Sequence, residues 1–262
     1  MPAIDVRHRP WPLPQGPWIG RQSWCDLLFA HWPIAASVLR PLVPKALEIQ
    51  EFAGTSWVGL VPFRMQGVML RGLPDVPGIS AFPELNVRLY VEHKGKPGVW
   101  FLSLDASSKL AVWGARKFFH LPYFHADMSL TREGERISYR SVRKANVAYQ
   151  ETRSAESAPL LSMTHAPTFV GDYTPTSSVY SSKPGSLEHW LTERYCLYAE
   201  APDGSLRCTD VHHAPWPLQK AELQLTRNSM FEGHGISLPG TPELLHFSRR
   251  IDVIFWPPSP AR

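Results

Sequence analysis

The stretch Glu84 to Glu92 sets Glu84, Asn86, Arg88, Tyr90 and Glu92 at alternate positions, with Leu85, Val87, Leu89 and Val91 between them. Period two places the two sets on opposite faces of a strand. A carboxylate and a guanidinium two residues apart on one face either pair or jointly orient a polar ligand. Glu84, Asn86, Arg88 and Tyr90 are therefore candidate ligand-binding residues, and Glu84 is the candidate acid or base. The competing reading is the solvated face of an antiparallel sheet, which gives the same alternation.

Other candidates carry a bland reading beside the chemical one. Asp105 and Arg116 flank a segment that reads as a helix from Ser107 or Ser108 to about Phe119. Asp105 either serves the helix start and Arg116 its last carbonyls, or the two pair to secure a pocket floor. Tyr123, with His120 and His125 on either side, either packs with its hydroxyl satisfied or offers a hydrogen bond or proton to a ligand. Tyr195, in the run Glu193-Arg194-Tyr195 with Tyr198 beyond it, lines either the core or a pocket. His212 and His213 suggest a metal, but adjacent residues on a strand point to opposite faces, and no HExxH or carboxylate-spaced histidine set exists. No metal is expected. Without GxSxG, GxGxxG or P-loop spacing, serine hydrolase, dinucleotide enzyme and NTPase chemistry drop out, and no cofactor is called for.

These side chains need elements to hold them. Residues 1–22, with Pro10-Trp11-Pro12-Leu13-Pro14, read as an extended arm, and residues 23–262 as one domain. Trp24 to Trp32 reads as a strand, and Pro33 as the start of a short helix over Ile34–Leu42. Leu47–Phe52 and Ser56–Met65 form a predicted hairpin across Ala53-Gly54-Thr55. The strand Glu84–Glu92 turns at Lys94-Gly95 into a second strand, Val99–Asp105. Strands follow at Phe124–Thr131 and Glu135–Val142, meeting at Glu133-Gly134. Ser154 to Ser186 is rich in Ser, Thr and Pro, and reads as a linker or a long lid. Ser186 caps a helix through Leu191; strands are predicted at Glu193–Glu200, Ser205–His213 and Leu245–Trp256.

Composition narrows the class. The 262 residues are 44% hydrophobic and 11% aromatic, enough apolar surface to fold. The 26 prolines exclude an all-helical bundle. A net charge of +4, spread without a basic stripe, excludes a nucleic-acid partner. No apolar run approaches the ~20 residues that span a bilayer, so no membrane partner is expected. Met1 to Pro17 lacks the apolar core of a secretory signal, and three cysteines without a CxxC pair suit a reducing compartment. The expected location is cytoplasmic. The expected fold is α+β and mainly antiparallel β, a curved sheet closed or nearly closed into a barrel or cone with a few short helices.

Phe82 to Val91 and Gly98 to Ala106, with Gly114-Ala115-Arg116, Leu121-Pro122-Tyr123, Leu191 to Tyr198 and Val211 to Leu218, resemble the YqjF-like family of uncharacterised bacterial proteins. The resemblance runs from about Trp24 to Trp256. With Leu39 to Ile49, it extends to the acetoacetate decarboxylase-like superfamily, which implies a cone-like barrel around a pocket. In those decarboxylases a lysine forms a Schiff base beside a pocket glutamate. The likeness puts Glu84 at the glutamate, while Pro122-Tyr123-Phe124 stands where the lysine pair would be, so the amine needed for imine chemistry is missing there. What the resemblance implies is a protein that binds a small organic molecule, aromatic or oxo-acid-like, in a barrel cavity. The alternatives are an enzyme acting on a carbonyl or enol substrate through Glu84, with Arg88 holding a carboxylate, and an interaction protein without a pocket.

Overall fold

The structure, a computed structural model, describes residues 5–75, 80–144, 165–238 and 240–261. Its strands are β1 (Gly20–Ile34), β2 (Glu48–Ile49), β3 (Ser56–Leu70), β4 (Phe82–His93), β5 (Lys96–Ala106), β6 (Tyr123–Glu133), β7 (Arg136–Arg143), β8 (Thr168–Pro175), β9 (Cys196–Glu200), β10 (Leu206–His213), β11 (Gln219–Asn228), β12 (Leu244–Phe255) and β13 (Ser259–Pro260). The α-helices are α1 (Ala36–Leu39), α2 (Lys109–Phe119) and α3 (Leu187–Thr192). No helix among the described residues is long and apolar enough to cross a membrane.

All the strands join one sheet that returns on itself twice. Nine strands close the larger ring, in the order β5-β6-β7-β8-β11-β12-β1-β3-β4 and back to β5. Because β10 also pairs with β12, and β9 with β5, a smaller ring of seven strands closes as β5-β9-β10-β12-β1-β3-β4. The two rings share β12, β1, β3, β4 and β5. Pairing is antiparallel except β5 with β6 and β5 with β9. A parallel neighbour needs a crossover, and α2 supplies it between β5 and β6. Ser108 caps that helix by accepting from the Ala111 N–H at 3.3 Å, and His120 ends it in the left-handed region at φ +56°.

The shared strands are buried on both faces, which is why β4 alternates in polarity without having a wet side. Leu85, Val87, Leu89 and Val91 join Leu28, Ala30, Val58, Leu60, Ile137 and Phe169 in the core of the larger ring. The opposite face meets Phe29, Val61, Phe63, Leu104, Ala199, Val211 and Val253 inside the smaller ring. A two-residue turn at Lys94 (φ +51°) and Gly95 (φ +79°) joins β4 to β5, the backbone twist that tight hairpins favour.

Three expectations need correction. Ala53 and Gly54 do form a tight turn, but only Phe52 and Thr55 bridge across it. Both edges of β3 are taken by β1 and β4, so β2 pairs instead with β4, at Val91 and Glu92, along the same edge beyond the last β3 pair at Leu89. Pro33 completes β1 rather than starting a helix. Beyond His31 that strand has lost β12 as a neighbour, so a missing N–H is tolerated, and α1 begins only at Ala36. The stretch read as linker or lid contains β8; its part 154–164 lies outside the described residues. Gly171 and the flanking threonines disguise that strand, yet the glycine sits where any side chain would crowd β11. A Cβ there would sit 3.1 Å from Leu223 and 3.2 Å from the Gln224 carbonyl of β11. Finally, β11 was not anticipated, although half-buried Ala221, Leu223 and Leu225 alternate with exposed Lys220, Glu222 and Gln224.

Candidate functional site

Register builds the site from three rows across the shared strands. One row aligns His31, Gly59 and Arg88; a second aligns Val61, Asn86, Leu104 and Tyr123; a third aligns Phe63, Glu84 and Ala106. Gly59 lets the first row close up, since a Cβ there would meet the His31 ring at 3.1 Å and Arg88 Cγ at 3.4 Å. Glu84, Asn86, Arg88 and Tyr90 thus share one face, as the period requires, and that face is interior rather than solvated.

Glu84 is 2% exposed, and its Oε2 accepts a hydrogen bond from the Tyr123 hydroxyl at 2.9 Å. Burial pushes its carboxyl up to about 8; the Tyr123 hydroxyl opposes the rise and the Asp105 charge adds to it. At neutral pH the group therefore holds its proton, the state of a general acid. Tyr123 is fixed by its own backbone, whose carbonyl accepts from Arg116 Nε at 2.6 Å. The Tyr139 hydroxyl, reaching from the larger ring, donates to the Glu84 carbonyl at 2.7 Å.

Arg88 is buried without a carboxylate partner among the described residues. Its Nη2 donates to the Tyr90 hydroxyl and to the Leu191 carbonyl, each at 3.2 Å, while its Nε–H has no partner. The guanidinium lies over Phe29 at 5.0 Å from the ring centre, a contact that stabilises the cation only in part. Between Arg88 and Glu84, Asn86 leaves its Oδ1 buried and unpaired. Tyr90 passes the chain of bonds on, its hydroxyl standing 2.5 Å from His31 Nε2. Burial, with Arg88 and His246 adding, pushes His31 well below its ordinary value. The neutral ring is then free to accept the Tyr90 proton while Tyr90 accepts from Arg88.

The remaining candidates lie elsewhere. Asp105 pairs with Leu85, so its side chain points to the larger ring, where Arg143 donates to Oδ1 from Nε at 2.9 Å and contacts it from Nη2 at 2.8 Å. It neither pairs with Arg116 nor caps α2. Tyr195 is buried just before β9, donating to the Glu193 carboxylate, stacked on His213 at 4.6 Å and covered by Arg9 at 4.9 Å. His212 and His213 keep different neighbours, and no group of three His, Cys, Asp or Glu suited to a metal occurs among the described residues. Of the lysines, all are exposed except half-buried Lys96, which is bound to Asp210 at 2.9 Å.

Three contributors were not among the candidates the sequence offered. His31 is a lone polar side chain in the apolar run Leu27–Trp32, and Gly59 interrupts a strand; both are signals of close approach. Arg194 gives no such signal. It lies over the Tyr90 ring at 4.9 Å and the Trp190 ring at 4.5 Å, and burial pushes it down to about 10.

The sheet, closed on itself with the Glu84 carboxyl buried inside, has the acetoacetate decarboxylase-like fold. The enduracididine biosynthesis enzyme MppR, complexed with the condensation product of pyruvate and imidazole 4-carboxaldehyde, superposes with a TM-score of 0.62 at 11% identity, over 94% of this chain and 90% of that one. An acetoacetate decarboxylase-like enzyme from Sphingomonas wittichii RW1 gives 0.59 at 10% identity, over 97% and 98% of the two chains. The acetoacetate decarboxylase of Legionella pneumophila gives 0.57 at 14% identity, over 98% and 93%. Likeness at such identities is one of fold. Within that fold the chain belongs to the DUF2071 family, described as an uncharacterized conserved protein, whose family model matches residues 21–252. It is 46% identical over 245 residues to the uncharacterized protein YqjF of Bacillus subtilis (strain 168), covering 94% of this chain and 93% of that relative.

Proposed function

We propose that the protein binds a small organic acid, aromatic or oxo-acid-like, inside the smaller ring, with the acid's carboxylate on Arg88 and a carbonyl oxygen facing the protonated carboxyl of Glu84. One observation carries this reading: Arg88 is a buried guanidinium with an unmade N–H and no carboxylate partner among the described residues. A buried cation without a counter-charge costs several kcal/mol, which a ligand carboxylate would offset through charge-assisted bonds. Phe29 and Tyr90 offer the apolar walls such ligands favour. An enzyme of this fold is seen with pyruvate and with a condensation product of pyruvate, compounds of the same class. Imine chemistry is not part of the proposal, because it needs an amine of lowered pKa and the lysines stand outside the ring.

Calorimetric titration with phenylpyruvate and with pyruvate tests the reading. The protein should take up at least one of them, and Arg88→Gln should lose that binding. If neither oxo acid binds at millimolar concentration, or if Arg88→Gln binds as well as the parent, the reading is wrong.

The raised Glu84 carboxyl favours a second reading, in which it shuttles a proton to or from an enol of the bound acid. In deuterated water the carbon beside the ketone should then exchange its hydrogens, an exchange followed by NMR. Glu84→Gln should stop that exchange while leaving binding intact; persistence of exchange would exclude this role.

A further inference from the structure

The outer face of the smaller ring carries a second chemistry. Strands β9 and β10 set Tyr198 opposite Cys208 and Cys196 opposite Asp210, which makes the two cysteines diagonal neighbours on one face. Their sulfurs stand 2.8 Å apart. A disulfide bond spans about 2.05 Å, so closing the gap asks each sulfur to move by about 0.4 Å. Nothing in the spacing of Cys196 and Cys208, which is not CxxC, announces this pair.

The two thiols are unequal. Cys208 Sγ lies 3.8 Å from Asp210 Oδ2, and Lys96 Nζ donates to both Asp210 oxygens at 2.9 Å, which brings an ammonium beside the sulfur. The bond from Cys196 holds the Cys208 thiol below its ordinary value, with burial and the Asp210 charge opposing and Lys96 assisting. Burial, reinforced by the same bond, pushes Cys196 well up. Of the two contacting sulfurs, Cys208 is thus the one that gives up its proton more readily, an inequality that suits a redox pair. Cys25 offers an internal contrast. Buried like the other two, it donates its S–H to Gln66 Oε1 at 3.2 Å, and no second cysteine adjoins it among the described residues.

We propose that Cys196 and Cys208 form a redox-active dithiol that a peroxide converts into a disulfide between β9 and β10. The Cys208 thiolate attacks one oxygen of hydrogen peroxide; the O–O bond breaks, and hydroxide leaves and becomes water with a proton from solvent. Cys208 is then a sulfenic acid. Cys196 Sγ attacks that sulfur, the S–O bond breaks, and the departing hydroxide leaves as a second water with the Cys196 proton. Two thiols and one peroxide give one disulfide and two waters, with two electrons passing from the sulfurs to the peroxide. The bond falls at a structural junction. Asp210, which flanks Cys208, also holds the N-terminal arm by accepting from Trp11 Nε1 at 3.0 Å and by facing Arg9 at 3.6 Å.

The experiment treats the full chain with hydrogen peroxide, alkylates the remaining thiols in denaturant and measures the intact mass. Of the three thiols alkylated before treatment, only Cys25 should remain reactive, with dithiothreitol restoring the other two. Peptide mapping should join Cys196 to Cys208, and the oxidised protein should melt several degrees higher because the unfolded chain is cross-linked. Cys196→Ser should halt at a sulfenic acid on Cys208 that dimedone traps, whereas Cys208→Ser should leave Cys196 unreactive. Three alkylatable thiols after treatment, a bond between two chains, or sulfinic acid in place of the disulfide would overturn the proposal. The unsubstituted protein alone decides these outcomes, so poor folding of either variant does not blur them.

Discussion

Two buried carboxyl groups, Glu84 and Asp105, sit on neighbouring strands and one register step apart, yet the molecule treats them differently. Asp105, opposite Leu85, faces the larger ring, where Arg143 engages it with two nitrogens and the Ser141 hydroxyl donates from 3.5 Å. Glu84, opposite Ala106, faces the smaller ring, and a tyrosine hydroxyl is its side-chain partner there. Burial pushes both carboxyls up, but at Asp105 the guanidinium opposes it, while at Glu84 only a neutral hydroxyl does. The smaller ring, moreover, holds its guanidiniums on Tyr90 rather than on an acid. One side of the sheet satisfies its charges internally and the other leaves an acid and a cation apart. That separation distinguishes a structural ion pair from groups poised for a ligand.

The contrast breaks most visibly at Asp105. Asp105→Ala leaves Arg143 buried without its counter-charge and should cost about 3–5 kcal/mol in urea unfolding. A loss under about 1 kcal/mol would mean that the pair does not hold the larger ring, given that measured surface pairs reach that figure.

Glu84 should behave in the opposite sense, through pH. The unfolded chain releases this proton near 4.5, the folded protein only at about 8. Between those values the folded state binds the extra proton, so the stability tied to it is complete below about 4.5, falls as pH rises and levels off above about 8. Each tenfold difference in proton affinity between the two states is worth about 1.4 kcal/mol, so the full change amounts to a few kcal/mol. Glu84→Gln removes the titration. Its urea midpoint should gain steadily on that of the parent between pH 5 and pH 8. Parallel pH profiles for the two proteins would erase the distinction between the carboxyls.

A smaller effect sharpens the picture. Tyr123→Phe removes the hydroxyl that opposes the rise at Glu84 and should cost about 1 kcal/mol. It should also move the loss of the protonated-carboxyl infrared band to higher pH, because the bond it deletes favours the ionised form. A band that disappears at lower pH would place some other donor on Glu84.

Much of the ladder was legible because it depends on local rules. The alternation over Glu84–Glu92, the Lys94-Gly95 turn and the Ser108 and Ser186 caps stand where the residues indicated. The side of the sheet that would be wet was not legible, because alternation separates two faces without saying what covers either. Nor was β8, whose Gly171 serves a contact 50 residues and more away along the chain, with Leu223 and Gln224. Arg143 as the partner of Asp105, and Arg194 against Tyr90, join residues that no local period connects.

The amino-acid order by itself determined a curved, mainly antiparallel sheet, and the sharing of one face by Glu84, Asn86, Arg88 and Tyr90, since strand geometry follows from side-chain alternation and turn chemistry over a few residues. Only the tertiary structure decided that this face looks inward, that Glu84 keeps its proton, that Arg88 stays without an acid among the described residues and that Cys196 meets Cys208. Each of these depends on desolvation and on contacts between distant segments, which exist only once both rings have closed.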